Sequence, residues 1–143
     1  MDIVESFCLR WAPRLLSVLR IVTAFLLMQH GSQKLFGFPA EAGQTASPPL
    51  TSLMEVAGGL EFFGGLLVLL GLFTRPVAFV LSGFMAVAYF MAHAPDGFWP
   101  ILNQGDLAVL FCFVFLYLSA AGGGPWSLDV WRRSATTPRP GSN

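Results

Sequence analysis

Residues 54–73 read MEVAGGLEFFGGLLVLLGLF. The stretch is apolar and long enough for a helix to cross a hydrocarbon core, which takes roughly 20 residues for about 30 Å. It nevertheless carries Glu55, Glu61 and two glycine pairs, Gly58-Gly59 and Gly64-Gly65. In a spanning helix Glu61 lies well inside the apolar layer. An acid there costs roughly 2.5–3.5 kcal/mol on insertion scales, so it needs a partner or a proton. Gly58, Glu61 and Gly65 share one helical face. Small residues beside an acid let a second backbone come close and shield the carboxyl from lipid.

The rest of the chain has the composition of a small integral membrane protein. Of 143 residues, 55% are hydrophobic and 11% charged, with a mean hydropathy of +0.65; soluble domains carry about 25% charged residues. Formal net charge is zero, so there is no basic surface for nucleic acid. Cys8 and Cys112 lie far apart, with no CxxC or haem-attachment pattern. Cys112, inside an apolar run, reads as a packing residue. No metal-ligand spacing, phosphate-binding loop or nucleophile motif is present. No metal site and no intrinsic cofactor are therefore expected. Asp2 and Glu5 spoil the positive start of a cleaved signal, so the first apolar helix is expected to stay.

Outward from the Glu61 helix, the chain predicts an all-α fold, a transmembrane four-helix bundle. Residues 1–14 are amphipathic and suit the interface, with Trp11 at headgroup depth. The membrane domain covers 15–129, with spans at 15–36, 53–73, 76–93 and 106–122. Arg14 and Arg20 at the start of the first span can snorkel to phosphates. Gly37–Ser52 and Ala94–Gly105 are loops, the second anchored by Phe98 and Trp99. Residues 130–143 form a tail expected to be disordered beyond Trp131. Arg10, Arg14, Arg75, Arg132, Arg133 and Arg139 fall on one side. The positive-inside rule then places both termini in the cytoplasm, where Cys8 stays reduced and no disulfide is expected.

Depth gathers the awkward residues in one leaflet, the outer one. Gln29, His30, Gln33 and Lys34 end the first helix there. Glu55 begins the second helix, with Glu61 about 9 Å deeper at 1.5 Å per residue. His93 ends the third; Asn103, Gln104 and Asp106 open the fourth. The opposite half reads as nearly featureless Leu, Val and Phe, which disfavours a solute or proton path through the whole layer. The expectation is a pocket lined by His30, Gln33, Lys34, Glu55, Glu61, Tyr89, His93 and Asp106, with Asn103 beside it.

Each residue also has a structural role open to it. Glu61 paired with Lys34 or His30 can be a clamp between helices. Lys34 can snorkel to headgroups, Tyr89 can belong to the interfacial belt, and His93 can satisfy helix-end carbonyls. Asn103 and Asp106 have the N-cap and N3 spacing of a capping box, with Asp in place of Glu or Gln.

Several motifs, in order, resemble the DoxX family. They are Leu19-Arg20-Ile21, His30-Gly31-x-x-Lys34-Leu35-Phe36-Gly37, and Glu61-x-x-Gly64-Gly65-Leu66 followed by Gly71-Leu72-x-Thr74-Arg75. His93-x-x-x-Gly97-Phe98 and Asn103-x-Gly105-Asp106 complete the set. The likeness runs from about Leu15 to Asp129. Asp106 stands where the family usually has Glu, and Asp96 where Asn is common. The resemblance implies a small four-helix protein of the bacterial inner membrane. It also implies an accessory role in a quinone- or sulfur-linked redox system, with a quinone as the possible ligand and redox-protein subunits as partners. The alternative is a non-enzymatic scaffold or assembly protein. Fold and membrane follow from the family more firmly than chemistry does.

Overall fold

The computed structural model describes residues 2–40 and 52–136, and every regular element among them is helical. Helix α1 runs Ile3–Phe36, α2 Ser52–Leu70, α3 Thr74–Asp96, α4 Asp106–Ala121 and α5 Leu128–Thr136. The first three are long and apolar enough to cross a membrane. Helix α4, at 16 residues, measures about 24 Å. It crosses only where its polar ends lie at the interface or the layer thins. The expected loop at 41–51 lies outside the described residues, as do 137–143.

The boundaries follow local chemistry. Helix α1 ends at Gly37, whose positive φ of 66° lets its N–H reach the Gln33 carbonyl at 3.0 Å; Gly adopts that conformation without penalty. Helix α2 stops at Gly71 in the same way. Pro76 sits in the first turn of α3, where a missing N–H costs nothing. At the start of the chain the amphipathic residues and the first span form one helix, continuous through Pro13. The proline removes a single backbone hydrogen bond there.

The four long helices pack as two pairs, α1 on α2 and α3 on α4. Glycine sets the first pair. A Cβ on Gly31 would lie 2.5 Å from the Phe62 nitrogen and 2.8 Å from the Gly58 carbonyl oxygen, so the two backbones touch. A Cβ on Gly65 would meet Met28 at 2.7 Å. In the second pair, Ser82 Oγ donates to the Cys112 carbonyl across the interface at 2.8 Å. The dry centre is small: Ala24, Leu27, Val68, Ala78, Leu81, Met85, Phe111, Phe115 and Leu118. Large apolar side chains such as Phe25, Phe63, Phe79, Val87, Leu110 and Phe113 face outward. Such a surface suits lipid, not water.

Two expectations are corrected at the end of the bundle near Arg20. Arg20 does not snorkel. It is fully buried and donates from Nη1 to the carbonyls of Val68 (2.7 Å) and Leu69 (2.6 Å), and from Nη2 to Trp126 (2.6 Å). These are the last carbonyls of α2 and a carbonyl of the segment after α4, so the guanidinium caps one helix and ties down the chain end. With Ser17, Thr23, Thr74 and Ser127 also buried, this half of the protein is not featureless.

The second correction is the tail. Residues 128–136 form a helix because Asp129 has work at its start. Its carboxylate accepts the N–H groups of Phe73 and Thr74, both at 2.8 Å, and so caps α3 from outside. Burial pushes the Asp129 carboxyl up. The Thr74 and Phe73 donors and nearby Arg133 outweigh that and hold it below the ordinary carboxylate range. Arg132 lies over the Phe73 ring at 5.2 Å.

Candidate functional site

Both spanning helices α2 and α3 lose their regular winding once. Leu60–Gly64 and Tyr89–His93 are single π-helical turns. Such turns insert an extra residue and are frequent at functional sites. One carries Glu61; the other ends on His93. Between them and helices α1 and α4 lies a cavity of about 260 Å³.

Glu61 is the most buried polar residue lining the cavity. It is 4% exposed, and its Oε1 accepts Lys34 Nζ at 2.5 Å. The Lys34 side chain stays 32% exposed, so one end of the pair is dry and the other reaches the opening. The pairing bridges α1 to α2, one turn from the Gly31 contact that brings these helices together. Glu61 Oε2 is buried without a hydrogen-bond partner among the described residues. A carboxylate oxygen so placed is a demand for a donor.

His30 and His93 line the same cavity. His30 meets the Phe111 ring edge-on, centroids 6.2 Å apart. His93 Nδ1 lies 3.0 Å from the Asn103 carbonyl oxygen. A carbonyl only accepts, so Nδ1 carries the proton, and in the neutral ring Nε2 is the acceptor. Leu27, Met85, Ala88, Ala92, Leu107, Ala108 and Phe111 make the remaining wall apolar, and Gln104 adds one amide.

The other expected site residues stand elsewhere. Glu55 is exposed on the first turns of α2, because six residues of helix carry it above the cavity. Gln33 turns away and donates to the Pro39 carbonyl at 3.4 Å. Tyr89 lies behind His93, rings stacked at 6.3 Å, with its hydroxyl near Phe98 and Asn103. Asn103 is buried but serves the loop. Its amide donates to the Gly97 carbonyl at 2.8 Å, and its Oδ1 accepts the Gly105 N–H at 2.9 Å. The capping box does not form, since α4 starts at Asp106, which is exposed.

Gln104 lines the cavity in place of Asn103 and Asp106. It is exposed, and it is one of two described non-glycine residues with positive φ, at 58°, a conformation that costs energy. Its place among the polar residues that open the fourth helix was the sequence signal for it, although the expected pocket lining did not include it. Among the described residues, no group of three or more His, Cys, Asp or Glu side chains is placed to hold a metal ion.

An uncharacterized protein of Haemophilus influenzae is 42% identical over 123 residues, covering 84% of this chain and 92% of its own length. An uncharacterized membrane protein of Mycobacterium tuberculosis is 30% identical over 154 residues, covering 90% and 92%. No solved structure matches. The DoxX family profile matches residues 15–94, which include Lys34, Glu61 and His93 of the cavity. With more than half of its length matched, this membrane protein belongs to the DoxX family.

Proposed function

We propose that the protein is an accessory subunit of a membrane redox system, quinone- or sulfur-linked, and that its cavity holds a small ring such as a quinone head group. One observation carries the reading: a mostly apolar cavity in the bundle is lined by a buried carboxylate, Glu61, one of whose oxygens has no hydrogen-bond partner among the described residues. A few polar anchors on apolar walls is the usual make-up of a small-molecule site, and about 260 Å³ is near the lower end of the range for one. Lys34 or His30 hydrogen-bonds a ring oxygen; Glu61 or His93 exchanges its proton. Electrons come from a partner subunit. The site lies in the outer leaflet of a bacterial inner membrane, with both termini cytoplasmic, as the arginine distribution argues. The test of the site is Lys34→Met in the native complex. Quinone-dependent turnover is expected to be lost, and unchanged turnover removes the reading. For orientation, a C-terminal fluorescent-protein fusion is expected to glow and a C-terminal alkaline phosphatase fusion to stay inactive; the reverse overturns it.

A second reading has its own observation, the direct Lys34–Glu61 contact between α1 and α2. A scaffold protein that uses the pair only as a helix clamp also needs that contact. In that case Glu61→Gln lowers the unfolding temperature and alters no ligand binding.

A further inference from the structure

We infer that the first turns of α1 are a binding site for anionic phospholipid, with the lipid's apolar part on a stripe that includes Phe7 and Trp11 and its phosphate on Arg10 and Arg14. Helix α1 is unbroken over 34 residues, about 51 Å of helix. A hydrocarbon core is about 30 Å thick, and about 40–45 Å with its headgroup layers. Tilted by about 30°, α1 rises about 44 Å, so its first turns fall in a headgroup layer. The bundle does not cover them, since no residue of α1 before Ser17 is buried. Ile3, Val4, Phe7 and Trp11 are exposed. Val4, Phe7 and Trp11 stand three and four residues apart, and the same helix face continues through Leu15, Val18 and Val22, also exposed. The stripe is therefore an extension of the lipid-facing side of the first span, and lipid is the occupant this continuity selects.

Charge selects which lipid. Arg10 and Arg14 are exposed and four residues apart, so they share one flank of the stripe. Two like charges at that spacing repel, and an anion between them relieves the repulsion. Neither has a carboxylate partner among the described residues. Glu5 stands about 140° round the helix from Arg10 and leaves that flank basic. Arg14 lies over the Trp11 ring, 5.3 Å from its centroid, and Phe7 packs against Trp11 with centroids 5.8 Å apart. Ile3, Ser6, Phe7, Arg10 and Trp11 line a shallow groove of about 250 Å³. One cation and one hydroxyl on apolar walls match a phosphodiester joined to a glycerol backbone. A guanidinium pairs with phosphate through two parallel N–H bonds, which a zwitterionic headgroup weakens by bringing its own cation.

The test uses the full chain in phosphatidylcholine vesicles. Trp99→Phe, Trp126→Phe and Trp131→Phe, all at exposed positions, leave Trp11 as the one tryptophan of four. A minor fraction of the lipid is then replaced by brominated phosphatidylglycerol or, in parallel, by brominated phosphatidylcholine, and quenching of Trp11 gives their relative association constants. The anionic lipid is expected to be preferred about fivefold or more, the scale of one arginine at a charged surface. Arg10→Gln with Arg14→Gln is expected to bring the ratio to about one while quenching itself persists. Equal quenching by the two lipids before those changes overturns the inference. Quenching by neither also overturns it, and with a doubled protein mass by cross-linking it assigns the stripe to a second copy of the chain. A preference that survives loss of both arginines overturns their assignment. If the single-tryptophan chain does not fold, native mass spectrometry of the unaltered chain in detergent decides. Retention of phosphatidylglycerol over phosphatidylcholine, lost in the double arginine variant, supports the site, and equal retention overturns it.

Discussion

Helix α1 carries two cations, Arg20 and Lys34, about four helical turns apart, and the protein treats them differently. Arg20 is enclosed by its own chain, with carbonyls from α2 and from the segment after α4 on its Nη atoms. Lys34 reaches one carboxylate oxygen and stays partly exposed beside a cavity. Among the described residues the Arg20 end leaves two buried polar atoms unpartnered, Arg20 Nε and Thr74 Oγ1, and the Lys34 end leaves one, Glu61 Oε2. What differs is room. Around Arg20 there is none: a Cβ on Gly71 would lie 2.4 Å from Ser127 Cβ and 2.6 Å from Arg20 Nη1. Beside Glu61 there is space for a ring. An unmet polar atom in a filled site is a tolerated imperfection of packing. The same imperfection in a side chain that lines a cavity has room for a small molecule beside it. The comparison assigns stability to the Arg20 end and chemistry to the Lys34 end.

The sharpest way to break that division is to remove Arg20. Arg20→Met strips the guanidinium donors from the carbonyls of Val68, Leu69 and Trp126. The expected loss is about 3–5 kcal/mol, the scale for breaking a buried charged network. Denaturant unfolding in mild detergent measures it. Arg20→Lys is expected to recover only part, because an ammonium is a point donor without the planar fork. A loss below about 1 kcal/mol for Arg20→Met contradicts the clamp.

Gly31→Ala comes next. The added methyl would sit 2.5 Å from the Phe62 nitrogen, a backbone atom that cannot swing aside. Helices α1 and α2 must separate, at about 1–3 kcal/mol, and Lys34 moves away from Glu61 with them. Gly59→Ala and Gly83→Ala are the controls: a Cβ at either position meets nothing within 4 Å, and both are expected to leave stability unchanged.

These two regions were not equally legible in the sequence. The four helices were, because three apolar runs of spanning length and one shorter run are separated by Gly, Pro and polar residues. The approach of Lys34 to Glu61 was also within reach, since depth counting puts both in one leaflet and Gly58 and Gly65 mark a close contact. Arg20 was not. A snorkelling arginine and a clamping one look the same until α2 and Trp126 are in place. The π turns carry no propensity signal, because packing decides where a helix takes up one extra residue. Polar residues in the loop before α4 were visible, but which of Asn103, Gln104 and Asp106 lines the cavity depends on how the loop folds, with Asn103 taken up by Gly97 and Gly105. The partnership of Asp129 with Phe73 and Thr74 joins residues far apart in sequence, and no local rule predicts it.

Asp129 extends the comparison to pH. Its carboxyl is held below the ordinary range when folded, against about 3.9 when unfolded. Its contribution is therefore fully present above about pH 4 and is lost as pH falls through the lower, folded value. Solvent screening at this half-exposed site keeps the effect small. Asp129→Asn is expected to lower stability at neutral pH by about 1 kcal/mol, as for loss of a helix cap. It is also expected to flatten the acid limb of the unfolding midpoint below about pH 4. An acid limb of unchanged slope in the variant means that some other carboxylate controls it.

Glu61→Gln is expected to disturb the fold least, and this is the more demanding side of the comparison. Removing one partner of a fully buried ion pair costs about 3–5 kcal/mol, but this pair is not fully buried. The Lys34 side chain is 32% exposed, so its ammonium can turn to the opening, and the glutamine carbonyl still accepts from it. An amide is also cheaper than a carboxylate to keep at this depth. These effects oppose one another, and the net change is expected to lie within about 1 kcal/mol of zero. If Glu61→Gln instead destabilises the bundle as much as Arg20→Met, measured in the same detergent by the same unfolding curve, then both ends are clamps and the cavity is only a packing defect between them. A near-neutral stability combined with a changed response to ring ligands separates the two ends as the structure arranges them: one charge locked for the fold, the other left partly unsatisfied for a ligand.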